Sequence, residues 1–267
     1  MKSIVKALIA GGIIIALGVI ILLIALSLNG WKLKRNIKFE MTTYECQNEN
    51  INLDIEVYGS KVKTEFYDGD KITIEYPVSK HYKTTISEAD GTLIFKAPKY
   101  VWYKDMFFLS GSWTEPDTVI KLPKDTINRV KINLGAGTVY LASGSYGSVE
   151  IDMGAGTFNG GNITCSALKV DIGAGTATIE SAQCQSFNCE IGAGTATVKK
   201  LTAHSTTVDI GAGSVNIKFT GNEEDYTIQS SVKAGNCNLH SSSSSTPKAN
   251  TINVDVSAGN FNGQFLG

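Results

Sequence analysis

The tetrad Gly-Ala-Gly-Thr recurs in this chain at a constant spacing. Its alanines are Ala136, Ala155, Ala174 and Ala193, and a fifth copy around Ala212, at the same spacing, ends in Ser214. Two further copies, around Ala234 and Ala258, carry Asn in place of Thr and follow at slightly wider spacings. A constant period of this kind is typical of proteins that stack similar structural units, so each copy is expected to form one unit of a repeat architecture.

Apolar residues alternate with polar ones on both sides of each repeat alanine. Around Ala174 they are Leu168, Val170 and Ile172 before it and Ala177 and Ile179 after it. Alternation with a period of two predicts β-strands with one buried face. A helical crossover between parallel strands needs roughly 30 residues, so the repeat has no room for one. The sequence therefore predicts an all-β fold, a parallel β-solenoid (β-helix) with coils of about 19 residues.

The glycines that flank each alanine are expected to mark a corner of the coil. Glycine tolerates positive φ and lets neighbouring main chains approach closely, and the small alanine methyl is expected to fill the narrow interior of the bend. Copies that follow one another in the chain should therefore stack directly, from Val130 to the C-terminus.

A polar ladder is predicted on the outside of the coils. Its members are Thr138, Thr157, Thr176 and Thr195, two positions after each alanine, with Thr178 and Thr197 two positions further on. Stacked hydroxyl and amide side chains can hydrogen-bond along such a ladder and stabilise the stack. A flat, regular polar array could instead bind an ordered surface such as a glycan or ice.

An acidic row lies three positions before the repeat alanines. It contains Asp152, Asp171, Glu190, Asp209 and, further along, Asp255. Carboxylates about 5 Å apart in water repel by roughly 0.8 kcal/mol per pair, which a solvated face tolerates. Calcium would need about six to eight oxygen ligands from loops that the repeat does not show. No metal site, cofactor or catalytic residue is predicted.

A membrane anchor is expected at the N-terminus, in residues 1–36. Every residue from Ala7 to Leu28 is uncharged, a run long enough to span a bilayer, and basic residues flank it on both sides. Cleavage as a signal peptide stays open, and the flanking charges do not decide the orientation. The expected location is the cell membrane, with a single pass and an extracytoplasmic solenoid.

The solenoid domain is expected to cover residues 37–267, with irregular leading coils over 37–128 and regular repeats over 129–267. Aromatic residues crowd between Pro98 and Pro116, where Trp102, Tyr103, Phe107, Phe108 and Trp113 form a candidate partner-binding patch. The alternative for this insertion is a plug over the open end of the core. At the other end, Phe261, Phe265 and Leu266 could close the core, and the serine-rich segment 241–245 is expected to form a loop for which the sequence indicates no function.

Composition narrows the functions further. The net charge of −1 gives no indication of nucleic acid binding. Five cysteines without a CxxC motif indicate neither a disulfide framework nor a zinc site. Cys165 and Cys184 should stack in adjacent coils as small core residues, and a disulfide between them stays open. The three histidines are scattered, so no acid–base site is indicated.

The segment from Val119 to Lys124 (Val-Ile-Lys-Leu-Pro-Lys), followed by Val130, Ile132 and Gly135-Ala136-Gly137, resembles the central signature of a bacterial "putative adhesin" family of β-strand-repeat envelope proteins. The resemblance covers nearly the whole chain after the anchor. It implies a β-helix-like domain displayed outside the cytoplasmic membrane, and it brings no catalytic residues with it.

These observations predict a non-catalytic, membrane-anchored cell-envelope protein that acts as an adhesin-like binding or scaffold surface. An envelope stress role is compatible with this, and the partner would be an envelope glycan or protein. The alternatives are a self-assembling structural module and a carbohydrate-active β-helix enzyme. The oligomeric state is open.

Overall fold

The computed structural model describes residues 17–24, 27, 38–47, 52–79, 83–98, 116–124, 127–242 and 248–267. The chain divides into two compact units, of which the larger comprises residues 39–99 and 115–267. In the smaller unit, residues 17–24 and 27 are helical, and the rest of the predicted span 7–28 lies outside the described residues. No helix within the described ranges is long and apolar enough to cross a membrane.

The larger unit is built from strands that belong to one sheet. Its N-terminal strands are β1 (Glu40–Glu45), β2 (Asn52–Val57), β3 (Lys61–Tyr67), β4 (Thr73–Val78), β5 (Thr85–Ala89), β6 (Thr92–Lys96) and β7 (Thr118–Pro123). The middle strands are β8 (Arg129–Leu134), β9 (Thr138–Leu141), β10 (Gly144–Ser145), β11 (Ser148–Met153), β12 (Thr157–Ile172), β13 (Thr176–Ile191) and β14 (Thr195–Ile210). The last are β15 (Ser214–Phe219), β16 (Tyr226–Val232), β17 (Asn236–Cys237), β18 (Asn250–Val256) and β19 (Asn260–Phe265), with a 3-10 helix at Glu223–Asp225.

Strands β12, β13 and β14 show the predicted stack in its most regular form. Each has 16 residues and pairs in parallel with the next, so that Phe158 lies beside Ala177 and Ala177 beside Ala196. Equivalent residues of neighbouring coils are therefore direct neighbours in the ladder. The all-β solenoid with parallel coils, one per repeat, is confirmed in this region.

Each regular coil has three sides. Alternation of buried and exposed side chains slips twice within a coil, at residues 161–162 and again at 166–167 of β12, where two successive side chains face outward. The same slips recur one repeat later in β13 and again in β14. The strand bends at these two corners, and the Gly-Ala-Gly bend forms the third.

The Gly-Ala-Gly bend is tied to the previous coil by its main chain. The N–H groups of Gly192, Ala193 and Thr195 donate to carbonyl oxygens of the preceding coil at 2.8, 2.7 and 2.9 Å. The prediction that the alanine fills the interior was wrong, because Ala193 is exposed and Gly194 is the buried residue. A Cβ atom on Gly194 would lie 2.5 Å from the carbonyl oxygen of Gly175, so close stacking of main chains excludes a side chain there.

Positive φ explains little of the glycine pattern. Among the glycines of these bends that the structure describes, only Gly137 has a positive φ, of 104°. The expectation of close approach is thus confirmed, and the expectation of left-handed backbone holds at one bend alone.

The last two coils do not stack in chain order, contrary to the sequence prediction. Strand β14 pairs with β18, and β18 in turn pairs with β16. At the bends, the Ala258 N–H donates to the Gly211 carbonyl and the Ala234 N–H donates to the Ser257 carbonyl. The coil of β18 and β19 is therefore inserted between the coil that contains β14 and the coil of β16 and β17.

The inward side chains explain this order. In β18 they are Ile252, Val254 and Val256, all buried, whereas the corresponding positions of β16 hold Ile228, Ser230 and Val232. Ser230 is only partly buried, and a polar side chain in an inward row costs less free energy where one side of the coil faces solvent. The more apolar coil thus lies inside the stack, so the coil of Phe261, Phe265 and Leu266 is not the terminal one. Of these residues, Phe265 stacks on the Phe219 ring at 5.5 Å between ring centres, whereas Leu266 is 49% exposed.

A similar insertion occurs among the leading coils. Strand β2 lies between β6 and β8, and β3 lies between β7 and β9, in each case with parallel pairing. Three other pairs are antiparallel, β1 with β4, β4 with β7 and β5 with β6. The irregularity predicted for residues 37–128 therefore includes strands that run against the solenoid direction.

Thr206 is a buried polar residue in an otherwise apolar column. It pairs with Phe187 on one side and Ile252 on the other, is fully buried, and its hydroxyl has no hydrogen-bond partner in the described structure. Replacing this hydroxyl by a methyl group removes a desolvation penalty without changing the volume. We expect Thr206→Val to raise the free energy of unfolding by about 1 kcal/mol in urea denaturation.

Thr207 provides the matched control, because it is the next residue along β14 and points outward. Thr207→Val should change the free energy of unfolding by less than about 0.5 kcal/mol. Equal effects of the two substitutions would show that the Thr206 hydroxyl is satisfied in solution.

Cys165 and Cys184 are direct neighbours in adjacent coils, as predicted, and both are buried free thiols in the structure. Burial raises the pKa of the Cys165 thiol to about 11 and that of Cys184 to about 12. Since the thiolate is the reactive form, raising the pKa suppresses the reaction near neutral pH. At pH 8 iodoacetamide should alkylate these two cysteines on the order of 100-fold more slowly than in the urea-unfolded protein. Equal rates in the two states, measured by peptide mass spectrometry, would contradict the burial.

Candidate binding surface

The polar ladder forms one side of the solenoid, which we call the threonine face. It consists of the outward residues Thr138, Tyr140, Thr157, Asn159, Thr176, Thr178, Thr195, Thr197, Ser214, Asn216, Asn260 and Asn262. The structure stacks these residues into two parallel rows, so the six threonines predicted from the sequence lie together. The amide of Asn262 donates to the side-chain oxygen of Asn216 at 3.4 Å, a contact along the ladder.

Neither row of the threonine face carries a charged side chain across these coils, and at the leading end both rows continue into lysines, with Lys61 beside Thr138 and Lys63 beside Tyr140. Charged groups lie at its borders. Glu180 and Lys199, at the neighbouring corner, form an ion pair at 2.6 Å. At the leading end, Lys61 is 5.4 Å from the centre of the Tyr140 ring and 3.2 Å from the Asp117 carboxylate. The face is therefore a neutral strip whose hydroxyl and amide groups can both donate and accept hydrogen bonds.

The side of the solenoid that precedes the bends has the opposite character. The acidic row is in register, with Asp152 beside Asp171, Glu190 beside Asp209, and Asp209 beside Asp255. In the adjacent row, Lys131 and Glu150 form an ion pair at 3.2 Å. Within the described residues no three His, Cys, Asp or Glu side chains converge as a metal site.

A second polar surface lies where the repeat is interrupted after β15. A groove of about 590 Å³ there is lined in part by His204, Glu224, Asp225 and Lys248. The carboxylate of Asp225 accepts a hydrogen bond from the Asn222 N–H at 2.9 Å, which holds the short 3-10 turn. Sequence reasoning missed this groove, because its residues come from segments that only the insertion of β18 brings together.

The aromatic residues of the predicted partner patch, Trp102, Tyr103, Phe107, Phe108 and Trp113, lie outside the described residues. Their role as a partner site stays a prediction. The described part of the candidate surface is therefore the threonine face and its charged borders.

Known proteins share this sequence pattern and this architecture. The family described as Toastrack DUF4097 matches residues 50–265. The solved structure of a "putative adhesin" from Bacteroides fragilis is similar with a TM-score of 0.50 and 14% sequence identity, over 85% of this chain and 97% of that chain. No protein with a curated description matches the sequence at a significant level.

Two further solved structures are also similar. A "putative adhesin" from Parabacteroides merdae has a TM-score of 0.47 and 12% identity, over 85% of this chain and 97% of that chain. A "putative cell adhesion protein" from Clostridium sporogenes has a TM-score of 0.37 and 13% identity, over 86% of this chain and 100% of that chain. At sequence identities this low, structural similarity indicates a similar fold and not a shared function.

Proposed function

The chain belongs to the Toastrack DUF4097 family, and from that premise we propose that it is a non-catalytic binding module whose threonine face holds a neutral polysaccharide of the cell envelope. The observation that carries the proposal is the double row of uncharged polar side chains across successive coils. Neighbouring coils repeat about every 4.8 Å, so a polymer lying on the face meets the same groups again and again.

The chemistry of the face favours a neutral, hydroxyl-rich ligand. Threonine and asparagine side chains donate and accept hydrogen bonds, as sugar hydroxyls do, whereas a charged polymer would need counter-charges that these rows do not contain. Tyr140, 38% exposed at the leading end, adds an aromatic surface against which a sugar ring can pack. The description of similar structures as "putative adhesin" agrees with a binding role.

Attachment to the cell membrane is part of the proposal. It is supported by the uncharged run from Ala7 to Leu28 and by the basic residues on both sides of it. A binding module of the envelope would then face outward on a single-pass anchor. Protease added to intact cells should remove the β-rich unit, and complete protection that ends only when the cells are lysed would contradict an outward orientation.

Binding can be tested with the full-length protein in detergent and insoluble neutral polysaccharides such as cellulose and chitin. We expect at least one of them to sediment the protein, and we expect Thr178→Glu/Thr197→Glu to weaken retention about tenfold, because carboxylates on the face must be desolvated without a counter-charge. The matched control is Asn188→Glu/Thr207→Glu, which places the same stacked pair on the acidic side.

The proposal fails if none of the polysaccharides retains the protein. It also fails if the control pair weakens retention as much as the pair on the threonine face does. Either result would favour the alternative interpretation of the rows as structural ladders that stabilise the coils against one another.

A further inference from the structure

The stack ends at β16, whose one edge faces away from the other coils. The structure pairs β16 with β18 alone among the strands it describes. An unpaired edge of a sheet presents main-chain N–H and C=O groups that can pair with a strand of another molecule. Soluble repeat proteins therefore protect the outer side of their terminal units.

Two serines from the serine-rich segment lie against this edge. The Ile228 N–H donates to the Ser242 hydroxyl oxygen, and the Ser230 N–H donates to the Ser241 hydroxyl oxygen, both at 2.9 Å. The Ser242 N–H in turn donates to the Ile228 carbonyl at 2.8 Å. The serine hydroxyls thus take the places that carbonyl groups of a further strand would occupy.

The spacing of these contacts fits an edge. N–H groups two residues apart in a strand point to the same side, so those of Ile228 and Ser230 belong to one edge. The hydroxyls of two adjacent residues, Ser241 and Ser242, accept hydrogen bonds from these two N–H groups. A regular strand would instead accept them with the carbonyl groups of alternate residues. Ser241 and Ser242 are therefore bound to β16 without themselves forming a strand that could be extended.

We propose that Ser241 and Ser242 form an edge cap that prevents two copies of this chain from joining through their β16 strands. The second copy is the occupant that fits, because a strand edge is self-complementary about a two-fold axis. Val232, at the end of the same strand, is 44% exposed and would gain burial in such a contact. The cap is independent of the proposed glycan binding.

Amide hydrogen exchange of the full-length protein in detergent, resolved by NMR, tests the cap residue by residue. Ser241→Ala should raise the exchange rate of the Ser230 amide about tenfold and leave the Ile228 amide protected. Ser242→Ala should raise the exchange rate of the Ile228 amide about tenfold and leave the Ser230 amide protected. Threonine at either position keeps the hydroxyl and should restore protection. Unchanged exchange in both alanine variants would overturn the cap.

Association is measured by analytical ultracentrifugation over a wide range of protein concentration. The variant Ser241→Ala/Ser242→Ala should form dimers at concentrations where the parent and the control Ser186→Ala do not, since Ser186 is exposed on a regular coil. Adding Val232→Lys to the double variant should abolish the dimer. A double variant with the parent's sedimentation at every concentration would overturn the proposal, as would dimers that persist with Val232→Lys.

Discussion

Gly194→Ala should destabilise the protein by about 3 kcal/mol or more, although it adds a single methyl group. The added carbon would lie 2.5 Å from both the Gly175 carbonyl oxygen and the Cγ2 atom of Ile172. Neither can move freely, because Gly175 is part of the bend below and Ile172 is in the core. Urea denaturation followed by circular dichroism measures the loss.

Ala193→Ser is the control at the same bend. Ala193 is exposed, so a hydroxyl there meets solvent and should change the free energy of unfolding by less than about 0.5 kcal/mol. If Gly194→Ala were as mild as Ala193→Ser, the main chains of successive bends would not be as close as the structure has them.

Phe187→Ala should cost about 3 to 5 kcal/mol. Phe187 is 2% exposed and fills a coil whose other inward positions include the small Ala177 and Ala182. Because Ala177 and Ala182 are small, they cannot fill the cavity that removal of the Phe187 ring would leave. The loss is measured by urea denaturation against the parent.

Phe187→Leu is the control that keeps a large apolar side chain but removes the aromatic ring. It keeps most of the buried area and should cost no more than about 1.5 kcal/mol. Similar losses for leucine and alanine would indicate that the ring makes specific contacts rather than filling volume, and a loss below about 1 kcal/mol for alanine would contradict its burial.

The repeat period made the regular part of the fold predictable. Constant spacing of the Gly-Ala-Gly copies and alternation around Ala174 are enough to infer parallel coils in register, because every inward position is repeated in the next coil. The orientation of the bend was not predictable in the same way. Three small residues in a row give no alternation, and only the distance between main chains shows that Gly175 faces inward and Ala174 outward.

The repeat pattern also did not predict the order of the last two coils. The wider spacings before Ala234 and Ala258 look like small departures from a sequential stack. The sequence feature that distinguishes the two coils is the polar residue Ser230, which lies in the inward row beside Val254 of the neighbouring coil. At an end of the stack Ser230 keeps contact with solvent, and the pairing of β18 rather than β16 with β14 places it there.

The candidate surfaces were predictable to different degrees. The threonine face follows from the outward positions of the strands, since the core constrains only the inward ones. The contacts of Ser241 and Ser242 with β16 could not be inferred, because a serine-rich segment has no periodicity and its partners depend on which strand ends the stack. The groove beside His204 has the same origin.

The order of the coils can be measured most directly by disulfide trapping at the exposed bend alanines. Ala212→Cys/Ala258→Cys places two thiols on bends that are hydrogen-bonded neighbours, whereas Ala212→Cys/Ala234→Cys places them on bends with another coil between them. Under mild oxidation the first pair should crosslink readily and the second should not, as judged by mass spectrometry of linked peptides. Efficient crosslinking of the second pair without the first would show that the coils stack in chain order and would contradict the inserted final coil.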